Sequence, residues 1–557
     1  MSFAPRRCLV PFGLAAALTC AAPALAEHAP SAETAAPQGK PQLVVAIAVD
    51  QFSADLFAQY REHYSRGLAR LLTGAVFPSG FQSHAATETC PGHSTLLTGV
   101  HPSRSGIIGN NWFVPAIGRE DKKVYCAEDE SNPKSTSDEP VVSPGHLKAP
   151  TLGDLMKQAD PAALNVAVSA KDRAAVMMSG HTADAVYWIR GKGFATYAGR
   201  KLSPAAKAEN AAMAATVARG AGELPVPDWC GPVDHATKVG NFTIGTYRFP
   251  LRPGDFSGFS RSPRMDAATA DMAVRLLDEL PLGKDDVTDV LSVSFSATDY
   301  IGHAFGHEGV EMCIQMDQVD RAIGTLLDAL DARGIDYLAV LTADHGGLDT
   351  PERLREQGVP YAGRIDASLT SAGLSQAVSR DTGITARSGP LLYGAGASGD
   401  IWIADGLTDE QKRKVIAALV ARLEASPQIE AVYTADELAG VKLPNGDPQD
   451  WTMIERVAAS YDPERSGEVL MMTKRALVPG PARPGYTATH GSPWDYDRRV
   501  PILFWRKGMT PMEQPQPVAT VDIAPTLAAR IGLTEPAGTW DGRCLDIDAG
   551  EADSCSR

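Results

Sequence analysis

The run LVVAIAVD, Leu43–Asp50, is seven apolar residues closed by an aspartate. It lacks the apolar–polar alternation of a half-exposed strand, and its β-branched content suits a strand buried on both faces of a parallel sheet. The pattern recurs in VLSVSFSATD (Val290–Asp299) and YLAVLTAD (Tyr337–Asp344). Two further runs fit it: NVAVSAKDR (Asn165–Arg173), whose strand stops before Lys171, and VPILFW (Val500–Trp505). Helical patterns separate them, such as ADLFAQYREHYSRGLARLL (residues 54–72) and EMCIQMDQVDRAIGTLLDALDARG (residues 311–334). Alternating strands and helices predict an α/β fold, a three-layer α/β/α sandwich around a large, mostly parallel, doubly wound sheet. Ligands of such sheets sit beyond the carboxyl ends of the strands, which puts Asp50, Asp299 and Asp344 on one rim.

The remaining length reads as additions to that sheet. Residues 114–150 and 222–262 are rich in Pro, Gly and polar residues and are expected to be loop-rich insertions. Within residues 360–480, DIWIAD (400–405), TDEQKRKVIAALVARLEAS (408–426) and IEAVYT (429–434) read as strand, helix and strand of a small inserted α+β subdomain. Residues 27–557 are thus expected to form one catalytic domain. Ahead of it, Arg6 and Arg7 precede an apolar run from Leu9 to Ala22, and Ala24-Leu25-Ala26 offers a small-residue cleavage pattern. That is the layout of a secretory signal peptide, residues 1–26, cut after Ala26. No later segment has the apolar length of a membrane span. A periplasmic or secreted protein follows.

Removing the leader takes two arginines and no acid, leaving 50 basic against 67 acidic residues. Such a surface argues against nucleic-acid binding through phosphate contacts. Six cysteines remain, an even number that favours disulfides in an exported chain. Pairing in sequence order, Cys90–Cys126, Cys230–Cys313 and Cys544–Cys555, is the simplest of the fifteen connectivities.

Metal-ligand chemistry gathers at the strand ends. SATDYIGHAFGHEG (residues 296–309) spaces Asp299, His303 and His307 four apart, one face of a helical turn. TADHGG places Asp344 and His345 before two glycines, and TATHG places His490 just ahead of the strand at Val500. Carboxylates and imidazoles without thiolates suit catalytic zinc, although other divalent metals accept them. On spacing alone His307 and His490 compete for one position. His28, His63, His84, His93, His101, His146, His181 and His235 are assigned ordinary structural or surface roles.

The stretch ATETCPGHSTLLTGVHP, residues 86–102, supplies a reacting hydroxyl. Pro91 suits the first position of a helix running to about Gly99, and a helix start offers free N–H groups to a phosphate. Thr89, just before that start, is positioned to attack phosphorus. Ser94 and Thr95 lie inside the helix and face away.

Asp50 after the first strand, a hydroxyl at a helix start, D-x3-H, DHG and a late THG together resemble the motif order of the alkaline phosphatase superfamily. The resemblance runs from Asp50 to the C-terminal helix VATVDIAPTLAARIGL (residues 518–533). It implies two Zn2+ ions, one held by Asp299, His303 and His490, the other by Asp50, Asp344, His345 and the oxygen of Thr89. It favours His490 over His307. Sulfatases of the superfamily convert a cysteine within Cys-x-Pro-x-Arg, a pattern that Cys90-Pro91 does not match. The order Thr89, Asn110 (in IIGNNWF), Lys171 and Arg173 resembles the phosphate ligands of phosphate-irrepressible, PafA-type bacterial alkaline phosphatases. The resemblance therefore implies an exported, metal-dependent phosphomonoesterase that hydrolyses small phosphate monoesters through a phospho-Thr89 intermediate. The alternative is a nucleotide pyrophosphatase/phosphodiesterase with the same metal core and threonine. A metal-dependent phosphomutase fits poorly with export, and a non-catalytic zinc or phosphate binder has no need of a nucleophile at a helix start.

Overall fold

The structure, a computed structural model, describes residues 39–394, 399–550 and 553–555. The signal-peptide expectation for residues 1–26 lies outside them. Ten strands make the principal sheet: β1 (Leu43–Val49), β2 (Ala75–Phe81), β3 (Asn165–Ser169), β4 (Ala185–Arg190), β5 (Gly193–Ala195), β6 (Asp289–Phe295), β7 (Tyr337–Thr342), β8 (Arg499–Arg506), β9 (Met512–Glu513) and β10 (Val518–Ala519). Their order is β9-β2-β8-β7-β1-β6-β3-β4-β5, with β10 also pairing β2. The centre, β7-β1-β6-β3-β4, is parallel, as the unalternated apolar runs predict.

Every side chain of β1 is buried, and successive residues serve two different cores. Leu43, Val45, Ile47 and Val49 join one apolar cluster, Val44, Ala46 and Ala48 the other. Seven helices carry the rest of the description: α1 (Thr89–Thr98), α2 (Leu152–Ala159), α3 (Asp172–Ser179), α4 (Arg264–Glu279), α5 (Ala297–Phe305), α6 (Val310–Ala332) and α7 (Ile523–Ile531). Helices α4 and α6 bury Leu276, Leu277, Ile323 and Leu327 in the first cluster. Helices α1, α2 and α7 bury Leu96, Leu97, Leu152 and Leu527 in the second. Period-2 strands between period-3.6 helices are what produce the three layers.

The sheet is mixed, and the run Val500–Trp505 accounts for it. Strand β8 lies antiparallel between β7 and β2. The chain reaches it from His490, which sits on the rim where the parallel strands end, so β8 can only run back across the sheet. Within residues 360–480 the chain forms a four-stranded antiparallel sheet, ordered Leu392–Gly394, Asp400–Ile403, Val469–Thr473 and Ile429–Thr434. Helices Ser371–Thr382 and Asp409–Glu424 cover it, burying Leu374, Val378, Val415 and Leu419 against Ile401, Ile403 and Val469. A hairpin, Asn111–Phe113 with Lys123–Tyr125, stands beside this sheet, where Phe113 packs on Tyr393 and Trp402. The three disulfides among the described residues are Cys90–Cys126, Cys230–Cys313 and Cys544–Cys555. No helix of the described residues is long and apolar enough to cross a membrane.

Candidate active site

Register brings the chemistry together. Val49 of β1 pairs with Phe295 of β6, and Ala48 with Thr342 of β7. Ser169 of β3 pairs with Ser294. The four strands therefore end level, and Asp50, Lys171, Asp299 and Asp344 follow within a few residues of that edge. Asp299 does not end a strand, as its sequence pattern suggests. Strand β6 stops at Phe295, and Asp299 lies in the first turn of α5. Burial of the whole segment hides the change from strand to helix, because both are apolar there.

Two groups of metal-ligating atoms result. Asp299, His303 and His490 form one, and Asp50, Asp344 and His345 the other, with ligand atoms within 4.8 Å of one another in each. His303 Nε2 and His490 Nε2 each lie 3.3 Å from Asp299 Oδ1. His345 Nε2 is 3.4 Å from Asp344 Oδ2 and 3.6 Å from Asp50 Oδ1. A tetrahedral ion with bonds near 2.0 Å separates its ligands by about 3.3 Å, so both groups have the size of a zinc site. The imidazoles are set for the role. Nδ1 of His303, His345 and His490 meets the backbone oxygens of Ala488, Gly346 and Thr87 at 3.0, 2.8 and 2.7 Å. Each ring thus carries its proton on Nδ1 and turns the lone pair of Nε2 inward. Among the described residues Asp50 Oδ1, Thr89 Oγ1 and His345 Nε2 are buried without a hydrogen-bond partner, which is costly unless a cation engages them.

The groups adjoin. The rings of His345 and His490 stack at 3.6 Å, and Lys171 Nζ is 2.6 Å from both Asp50 Oδ2 and Asp299 Oδ2. Two buried carboxylates thus share one ammonium and a third, Asp344, lies beside them, an excess of negative charge that suits added cations. Burial and the neighbouring Asp344 push the Asp50 carboxyl well up. Burial opposes the charge of Asp344 too, but His345 and His93 beside it hold that carboxyl well below the usual range. Burial opposes protonation of His490, yet the hydrogen bond and charge of Asp299 raise its pKa to about 9, so without a metal its Nε2 takes up a proton that a bound cation would replace.

Thr89 is the first residue of α1, with Glu88 as its cap, so the helix begins two residues earlier than Pro91 suggests. The helix start is pressed against the metal groups. A Cβ on Gly92 would lie 2.0 Å from Asp344 O, an approach that only glycine permits. Ser94 Oγ and Thr95 Oγ1 are turned back onto Pro91 O and Gly92 O. Asn110 Oδ1 accepts from Cys90 N–H at 2.8 Å, whereas Asn111 is exposed. Among the described residues Arg173 Nε is buried and without a hydrogen-bond partner, although the side chain also bonds to Tyr125.

Two residues given bland roles, or none, on sequence grounds belong to this environment. His93 bridges from α1: its Nδ1 lies 3.0 Å from Asp344 Oδ2 and 2.9 Å from Thr89 O, and its Nε2 2.8 Å from Ser294 Oγ. The i,i+4 step from Thr89 was its visible signal. His307 does not share a face with Asp299 and His303, because Gly306, at φ +79°, ends the helix before it. It meets Gln51 Oε1 at 2.7 Å, and Gln51 Nε2 donates to Asp299 Oδ1 at 3.0 Å. A carboxylate only accepts, so Gln51 must present its NH2 to Asp299 and its oxygen to His307, whose proton therefore sits on Nε2. The backbone N–H of Gln51 donates to Asp344 Oδ1 at 3.1 Å, reaching the second group. Gln51 does this at φ +66°, a left-handed conformation unusual for a side-chain-bearing residue.

Residues 44–490 match the family described as type I phosphodiesterase / nucleotide pyrophosphatase. The chain is 50% identical over 520 residues to alkaline phosphatase PhoK of Sphingomonas sp., covering 93% of each chain. It is 44% identical over 534 residues to alkaline phosphatase PhoD of Zymomonas mobilis, covering 95% of this chain and 92% of the relative. A crystal structure of wild-type alkaline phosphatase PafA superposes with a TM-score of 0.79 at 25% identity, over 92% of this chain and 100% of that one.

Proposed function

The chain belongs to the type I phosphodiesterase / nucleotide pyrophosphatase family, and on that premise we propose that it is an alkaline phosphatase using Thr89 as nucleophile. The observation that carries the reading is the adjacency of two zinc-sized ligand groups to an unpartnered threonine hydroxyl at a helix start. Its relatives PhoK, PhoD and PafA bear the name alkaline phosphatase. Asp299, His303 and His490 would hold one Zn2+; Asp50, Asp344, His345 and Thr89 the other. Bound there, the ions would supply Lewis acidity to the attacking and leaving oxygens. Thr89 Oγ attacks phosphorus, its P–O bond forms as the ester P–O bond breaks, and the alcohol departs. Water then cleaves the phospho-Thr89 ester and releases inorganic phosphate.

Asn110, Lys171 and Arg173 separate monoester from diester. A monoester presents three non-bridging oxygens and two negative charges, which reward further donors and cations in the transition state. Asn110 offers the NH2 end of an amide whose oxygen is already engaged. Arg173 offers a planar fork with a free Nε–H, and Lys171 a compact charge. The export and periplasmic or secreted location implied by residues 1–26 belong to the same reading.

Hydrolysis of an aryl phosphate compared with that of a methyl aryl phosphate tests the proposal. A phosphatase favours the first strongly. Lys171→Ala with Arg173→Ala then lowers monoester turnover far more than diester turnover. A strong diester preference of the unaltered protein overturns the assignment in favour of a phosphodiesterase.

A further inference from the structure

The hairpin Asn111–Phe113/Lys123–Tyr125 supplies no metal ligand, yet it reaches Asn110, the residue after Thr89 and the start of α3, the helix that carries Arg173. Cys126 follows its second strand and is bonded to Cys90, the residue after Thr89. The N–H of Cys126 donates to Asn110 O at 3.0 Å. Asn110 is also held by its own N–H on Glu88 Oε2 at 2.6 Å and by its Oδ1 on Cys90 N–H. On the other side, the hydroxyl of Tyr125 donates to Asp172 Oδ1, which accepts the N–H of Arg173 at 2.7 Å. Asp172 stands between Lys171 and Arg173 at the start of α3. Both cysteines are fully buried.

We infer that Cys90–Cys126 is a positioning bond: it fixes Thr89 against Asn110 and, through Tyr125, against Lys171 and Arg173, and so sets the preference for monoesters. The inference rests on the monoesterase reading above. Between the two cysteines the chain forms the rest of α1, the short helix Pro102–Ser105 and the hairpin, whose Trp112 and Val124 are buried in one apolar cluster with both cysteines; to that packing the bond adds a covalent tie between the hairpin and the start of α1. Displacement of phosphate ligands by about 1 Å is enough to cost about 10²-fold in rate. The carboxylate and imidazole ligands of the metal groups draw on the end of β1, α5, the end of β7 and the loop at His490, none of which the bond crosses; Thr89, beside Cys90, is held to them by α1 itself, whose Gly92 abuts the Asp344 carbonyl. Monoester preference is therefore acquired only when the thiols have been oxidised, the condition that exported proteins meet.

The test compares Cys90→Ala/Cys126→Ala with Cys230→Ala/Cys313→Ala, which removes a bridge between the turn Asp228–Val233 and α6. Each protein is assayed below its unfolding transition on an aryl phosphate and a methyl aryl phosphate, with metal content and inhibition by inorganic phosphate measured in parallel. The first variant is expected to lose about tenfold or more in monoester kcat/KM and in phosphate affinity. Its diester kcat/KM stays within about threefold and its metal content is unchanged. The second variant keeps the wild-type ratio of monoester to diester activity. Tyr125→Phe moves that ratio in the same direction by less, and decides the matter if the first variant does not fold. An unaltered ratio in Tyr125→Phe and in the Cys90/Cys126 variant, or equal losses on both esters, overturns the inference. The ratio in the unmodified protein separately tests the monoesterase reading.

Discussion

Lys171 Nζ stands 2.6 Å from Asp299 Oδ2, inside the group that would hold a cation, and meets Asp50 at the same distance. The ammonium therefore has two employments, neutralising the carboxylates and binding phosphate, and a metal competes with it for the first. Lys171→Ala is expected to lower monoester kcat/KM by about 10²–10³, the usual loss for a deleted transition-state donor. It is also expected to slow metal release to a chelator, or leave it unchanged, because a competing cation is gone. Faster release would show that Lys171 supports the metal groups instead.

Thr89→Ala is expected to abolish turnover while retaining bound metal, since Asp50, Asp344 and His345 remain. Thr89→Ser keeps the hydroxyl and a part of the rate. Steady-state kinetics with metal analysis checks this; substantial phosphate release by Thr89→Ala would remove the proposed nucleophile.

Gln51 links both metal groups, but by different atoms. Replacing it with Ala deletes the hydrogen bond to Asp299 and spares the backbone N–H to Asp344. Loss of such an outer partner typically costs about 10–100-fold in metal affinity. The expected outcome is faster chelator release of one ion of two, with His307→Ala a milder version because it only frees the amide to turn. Biphasic release curves read this directly; equal acceleration of both phases would contradict it.

Gly92→Ala drives a methyl group into the Asp344 carbonyl. Overpacking of this kind costs about 1–3 kcal/mol. Because the strain falls between Thr89 and a metal ligand, activity at 25 °C is expected to fall more than thermal stability does. A variant with lowered Tm and normal kcat would disprove that coupling.

Asp400, buried in the inserted sheet with Gly467 N–H on its Oδ1, has its carboxyl raised by burial from 3.8 to about 7. A raised folded pKa means that the folded protein holds an extra proton between those values, so stability falls as pH rises from about 4 to 7. Asp400→Asn keeps an acceptor for Gly467 and removes the charge. Denaturant titrations at pH 5 and pH 8 are expected to show a smaller difference for the variant than for the wild type. An unchanged difference would place the titration elsewhere.

Strands were legible because burial on both faces writes a continuous apolar run, and their polar ends were legible because an aspartate cannot extend such a run. So the parallel centre of the sheet, the rim position of Asp50 and Asp344, and the residue types of the two metal-ligating groups follow from composition and order. The helix start at Thr89 lies two residues ahead of the position that Pro91 suggests, and Asp299, on the helical turn that its spacing with His303 implies, sits beyond the strand end to which its apolar run points. The antiparallel β8 was not readable at all. Its direction depends on where the chain re-enters after the inserted subdomain.

By itself the sequence of this protein determined its residue types and their local periods: seven buried apolar residues ending at Asp50, the four-residue step from Asp299 to His303, an even set of cysteines. Only the tertiary structure decided which distant groups meet. Level strand ends bring Lys171 between Asp50 and Asp299; the turn at Gly306 carries His307 to Gln51 and off the face of Asp299 and His303; a close approach at Gly92 sets the start of α1 beside Asp344; and one disulfide joins Cys90, next to Thr89, to Cys126, which holds Asn110. Those pairings span up to 256 residues of chain, and no local period encodes them, because they arise from packing the layers against a common sheet.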